Sequence, residues 1–130
     1  MNADMCCEVI MTIWEGTWDI VSFSETLKRA TRLAERCGGD EKAITMEIIQ
    51  VMLKDGHMVA GDVPPDTDNP LDPGAVEPWE SSVEQTLARI ERKWEHLEGF
   101  PAPSEVCWFA TTDKGKKLLE KYDLNEEPFE

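Results

Sequence analysis

Five of the chain's eight prolines, Pro64, Pro65, Pro70, Pro73 and Pro78, fall within residues 62–80, and no regular helix or central strand can run through them. A proline has no amide hydrogen to give to a helix or a ladder, and its ring crowds the turn before it. The fold must therefore be assembled from the segments on either side, with this stretch laid over the surface. The same stretch carries Asp62, Asp66, Asp68, Asp72, Glu77 and Glu80 and no lysine or arginine. A loop of this length between regular elements is usually functional or disordered.

Before the loop the pattern is helical. Met5, Val9 and Ile13 recur every fourth residue, with Cys6, Ile10 and Trp14 one step round, which predicts a helix over residues 3–14. Gly16 is expected to interrupt it, after which Trp18, Ile20 and Ser22 alternate like a short strand; a continued helix is the alternative. Ser22 and Glu25 have capping-box spacing, and Gly38–Gly39 supply a stop, so Ser24–Cys37 is expected to be a helix. Asp40 can cap the next one, in which Ile44, Ile48, Val51 and Met52 share a face widened by Ile49 and Leu53. That breadth marks it as the most buried helix. Gly56 ends it, and residues 57–63 read as a strand.

After the loop, Ser81 and Glu84 form a second capping-box pattern. Val83, Leu87, Ile90, Trp94 and Leu97 then follow at four- and three-residue steps, predicting a helix over 82–98 that Gly99, Pro101 and Pro103 close. Residues 105–111 read as a strand with both faces apolar. Asp113 can cap a short helix reaching Tyr122, and residues 123–130 are expected to be an acidic, flexible tail. The expected fold is α+β, a helix-rich single domain over residues 1–122 with a small two- or three-stranded sheet. A length of 130 residues suits one domain.

Charge narrows the partners. With 27 acids against 13 bases the net charge is −14, which repels nucleic-acid phosphates and anionic membranes and favours basic surfaces. The longest apolar runs are too short to span a bilayer, and the acidic N-terminus lacks the basic region of a secretory signal, so a cytoplasmic protein is expected. Cys6, Cys7, Cys37 and Cys107 are then expected to be reduced, buried small hydrophobes rather than a disulfide framework.

Catalytic patterns are missing. His57 and His96 are the only histidines, and no nucleophile elbow, His-Glu-x-x-His, Cys-x-x-Cys or phosphate-binding loop is present. Asp66, Asp68, Asp72 and Glu77 have the spacing of a calcium loop, but Pro70 and Leu71 occupy positions that need a ligand and a glycine. No enzyme, no metal and no cofactor is therefore expected. Trp94 and Trp108 fall on core patterns, while Trp14 and Trp18 fit either the core or a groove. Trp79, in Glu77-Pro78-Trp79-Glu80, is either a staple against the following helix or an exposed aromatic anchor.

Four segments carry a resemblance: Glu15-Gly16-Thr17-Trp18, the run from Leu53 to Asp62, Pro78-Trp79 ahead of a capped helix, and the run from Val106 to Gly115. Together they resemble small acidic bacterial proteins of the immunity type, which are encoded beside a polymorphic toxin and neutralise it. The resemblance implies occlusion of a basic toxin or effector, with Asp62, Asp66, Asp68, Asp72, Glu77 and Glu80 as the capturing acids and Trp79 as anchor. A phage-encoded inhibitor of a host defence complex would use the same physics. From a different class, helix 40–55, strand 57–63, helix 82–98 and strand 105–111 leading into Thr112-Asp113-Lys114-Gly115 resemble a winged helix. Its helix 82–98 offers Arg89, Arg92 and Lys93, but Glu91, Glu95 and Glu98 offset them, so the alternative is a winged-helix-like regulatory or interaction domain, with protein interaction favoured over DNA binding.

Overall fold

The computed structural model describes residues 3–122; the expected acidic tail lies outside them. The elements run α1 (Ala3–Trp18), β1 (Val21–Ser22), α2 (Phe23–Cys37), α3 (Glu41–Lys54), β2 (Met58–Asp62), a 3-10 turn (Pro73–Ala75), β3 (Glu77–Pro78), α4 (Val83–Glu95), β4 (Trp108–Thr111) and α5 (Asp113–Glu120). The architecture is α+β, helix-rich with one small antiparallel sheet in the order β1-β4-β2-β3. Four strands form rather than two or three, because β1 and β3 contribute two residues each.

Gly16 does not interrupt α1. It is buried where the helix crosses the sheet, and a Cβ there would lie 2.5 Å from Thr111 Oγ1 and 2.6 Å from Met58 Cε. Thr111 also donates its hydroxyl to the Ile13 carbonyl at 2.6 Å, fastening α1 to β4. The glycine reports a close crossing, which local propensity cannot distinguish from a stop.

Ser22 caps α2 by accepting from the Glu25 amide at 3.1 Å, and Asp40 caps α3 by accepting from the Ala43 amide at 3.0 Å. α3 packs against α1, α2, α4 and β2 and buries Ile48, Ile49, Met52 and Leu53, which fits its apolar breadth. The box on α4 is set one residue later than its spacing indicated. Ser81 spends its hydroxyl on Thr86 (2.7 Å), leaving Ser82 and Gln85 to satisfy each other's amides. In the same way Thr112, not Asp113, caps α5, and its hydroxyl also donates to the Gly56 carbonyl at 2.6 Å. The Thr112-Asp113-Lys114-Gly115 segment thus fastens α5 to the start of β2.

One continuous core joins the helices to the sheet around Ile13, Phe23, Ile48, Met52, Ile90 and Phe109. Trp94 packs edge-on to Phe23 with ring centroids 5.1 Å apart. Of the cysteines only Cys107 belongs to this core. Cys6, Cys7 and Cys37 are exposed, because they sit at the far ends of α1 and α2, where Cys37 lies 3.2 Å from the Asp4 carboxylate. Among the described residues no helix is long and apolar enough to cross a membrane.

Candidate functional site

The proline-rich segment leaves β2 at Asp62 and returns as β3, so its two ends lie side by side, with Asp62 opposite Glu77 in register. Between them the backbone is held by local bonds. Thr67 donates both its amide (3.2 Å) and its hydroxyl (2.7 Å) to the Pro64 carbonyl. Asp72 accepts from the Gly74 amide at 2.9 Å, which starts the 3-10 turn. The amide of Ile20 donates to the Leu71 carbonyl at 3.0 Å and ties the middle of the segment to the entrance of β1. Such bonds give the loop a defined path without any long regular element.

All six acids expected to act here are exposed. Asp66, Asp68, Asp72, Glu77 and Glu80 have no ion-pair partner among the described residues, whereas Asp62 does. Arg89 reaches it from α4 at 3.9 Å, and Trp79 donates its indole N–H to the same carboxylate at 2.8 Å. The Arg89 guanidinium lies 3.8 Å from the centre of the Trp79 ring, and the Lys93 ammonium lies 5.3 Å from it. Trp79 is half-buried and clasped between β3 and α4. It packs beside the following helix, with the indole engaged inside its own molecule on the N–H and on a ring face.

A groove opens beside these acids. It has a volume of about 230 Å³ and is walled by Ile20, Val63, Pro64, Pro65, Pro70, Leu71 and Trp108. No charged residue lines it, but Asp19, Asp62, Asp66 and Asp72 each directly precede or follow a lining residue, and all four are exposed. Leu71 keeps 57% of its surface in water, the highest among the exposed large hydrophobic residues described. On the other side of Ile20 lies a second cleft, of about 380 Å³, bounded by Glu15, Asp19, Val21 and Glu25. Glu15 is paired there with Arg29, which also meets Glu8 at 3.1 Å. Burial alone would lower the Arg29 pKa, but the hydrogen bonds that it donates to Glu15 and Glu8 and its attraction to their charges outweigh this, so it lies above its ordinary value.

Sequence reasoning placed the acids on one loop and missed Ile20, Leu71 and Trp108, which the fold brings to them from the residue before β1, the loop itself and β4. The signal available was the apolar residues standing between the acids, Val63 and Leu71, in a segment that loop chemistry alone would leave polar.

His57 lies at the start of β2, where its carbonyl accepts from the Thr112 amide at 3.0 Å, and His96 donates Nδ1–H to the Arg92 carbonyl at 2.7 Å as it ends α4. Burial pushes the Cys107 thiol far above the usual cysteine range; Lys93 and Arg89 oppose this and Asp62 adds to it. At neutral pH it is a protonated core residue rather than a nucleophile. A cleft of about 160 Å³ between β2 and α4 is lined by residues such as Met58, Pro78, Trp79, Ser81 and Thr86, none of them titratable. Among the described residues no three His, Cys, Asp or Glu side chains converge as metal ligands. No family profile, curated protein or solved structure matches the chain.

Proposed function

We propose that this is a binding protein of the immunity type, which captures a basic toxin or effector and occludes it. The observation that supports the reading is the set Asp66, Asp68, Asp72, Glu77 and Glu80: five exposed carboxylates, without cation partners among the described residues, on a loop whose path is fixed by hydrogen bonds. Like charges brought together cost free energy in the unbound protein, and a basic partner relieves that cost on association. A net charge of −14 adds a long-range field that speeds encounter with such a partner. Occlusion acts through shape and charge, so the reading asks for no nucleophile, base or metal.

The test is capture from cells that encode the protein, followed by co-expression of whatever is retained. A basic protein that is harmful alone and harmless with this chain supports the proposal. Replacing Asp66, Asp68 and Asp72 by asparagine should slow association by about tenfold at low salt and flatten its salt dependence. The melting temperature should stay nearly unchanged, because the side-chain oxygen of an asparagine can still accept from the Gly74 amide. If the triple variant captures as fast as the wild type, these acids do not do the capturing. A large fall in melting temperature would assign them to the fold.

A second reading has its own support in the topology. α2 and α3 joined by the short turn at 38–40, followed by antiparallel β2 and β4 with β1 beyond, follow the layout of a winged helix-turn-helix whose wing is enlarged by residues 63–107. In that layout α3, not residues 82–98, stands as the recognition helix. Its exposed residues are Glu41, Ala43, Glu47, Gln50 and Lys54, a face unsuited to phosphates. The layout therefore favours a protein-interaction role over a DNA reader. A shift of duplex DNA by the protein at low salt would reverse that preference.

A further inference from the structure

We infer that the groove walled by Ile20, Val63, Pro64, Pro65, Pro70, Leu71 and Trp108 receives one large apolar side chain from a basic segment of the captured protein. This rests on the capture reading above and names where and by what chemistry the partner is held.

Four observations lead to that occupant. The groove, at about 230 Å³, is smaller than the roughly 300–1,000 Å³ that accommodates a drug-sized ligand, so it suits a side chain better than a free metabolite. Its lining side chains all belong to apolar residues, and no charged one is present to orient a small polar ligand. Exposed acids flank the lining residues along the chain: Asp19 precedes Ile20, Asp66 follows Pro65 and Asp72 follows Leu71, while Asp62, which precedes Val63, is already paired with Arg89. A segment that seats an apolar residue there places its neighbours beside these carboxylates, and lysine or arginine fits them. The partly buried Trp108 adds an aromatic surface to the same wall, of the kind a cation can stack on.

The walls are also set in advance. Three of the seven lining residues are proline, and the bonds of Thr67 to Pro64, Asp72 to Asn69, and Ile20 to Leu71 fix the segment between them. A partner would meet the groove already formed and would lose less to ordering on binding. A second copy of this chain is a poor occupant, since it would bring another −14 of charge to the same groove.

The experiment uses the full chain labelled with nitrogen-15 and two synthetic peptides of identical lysine and arginine content, one with a central leucine and the other with a central serine. The leucine peptide should bind about tenfold tighter. It should move the amide signals of Ile20, Val63 and Leu71 and the indole signal of Trp108. Leu71→Ser, at a position already mostly in water, should bring the leucine peptide down to the affinity of the serine peptide. Equal, salt-sensitive binding of both peptides would overturn the groove and leave the acidic capture surface standing. Binding of neither would take down both readings. Self-association through these same residues, seen by sedimentation, would replace the basic partner by a second copy and overturn the inference.

Discussion

At Gly16 two physical effects pull in opposite directions. In the interior of an exposed helix, glycine to alanine gains about 1 kcal/mol from propensity. Here the new methyl group would meet Thr111 Oγ1 and Met58 Cε well inside contact distance, and one of its neighbours is a hydroxyl committed to the Ile13 carbonyl. Overpacking of a formed core costs about 1–3 kcal/mol, so the clash wins. Gly16→Ala should lower the urea midpoint, with a net loss of up to about 2 kcal/mol. A gain in stability would mean that α1 shifts freely over the sheet and that the crossing is looser than its geometry. The same position explains why the sequence misled: a helix breaker and a close-contact glycine are the same letter, and only the strand that arrives from residue 111 tells them apart.

The elements divide by how much of their cause is local. α2, α3 and α4 were legible because apolar spacing and terminal caps lie within the helix itself. β3 was not, since two residues carry no period and exist as a strand only because β2 lies beside them, and β1 was indicated only in part, by an alternation ending at Ser22. The caps were legible in kind and off by one in place at α4 and α5, where two candidate side chains stand in a row and a distant partner decides between them. That decision can be tested at α4. Ser82→Ala should cost about 1 kcal/mol in urea denaturation, the ordinary worth of a cap. Glu84→Ala, outside the reciprocal pair, should stay within about 0.5 kcal/mol. The reverse order would restore the frame that spacing alone indicated. The acids of the candidate site were legible for the same local reason, as a run of letters. Arg89 against Asp62, and Trp108 beside Leu71, were not, because each joins residues from separate elements.

For the molecule as a whole, charge sets a balance that salt can shift. Most ion pairs among the described residues are exposed, such as Lys42 with Glu91 and Glu95, both at 3.4 Å, and such pairs contribute little. A net charge of −14 works against them through repulsion over the whole surface. Screening reaches a length of about 8 Å at physiological ionic strength and weakens both effects. The repulsion is the larger, so the melting temperature should rise by about 3 °C between very low salt and physiological salt. A fall over that range would mean that the pairs, above all Arg29 with Glu8 and Glu15, outweigh the repulsion. The sheet has a separate consequence at this scale. Its outermost strands, β1 and β3, are two residues long, and one of them is Glu77-Pro78. Neither offers the run of free amides and carbonyls that strand addition requires. Among the described residues the outermost strands thus give an extended segment little to pair with, which favours recognition by side chains on folded surfaces over the addition of a strand.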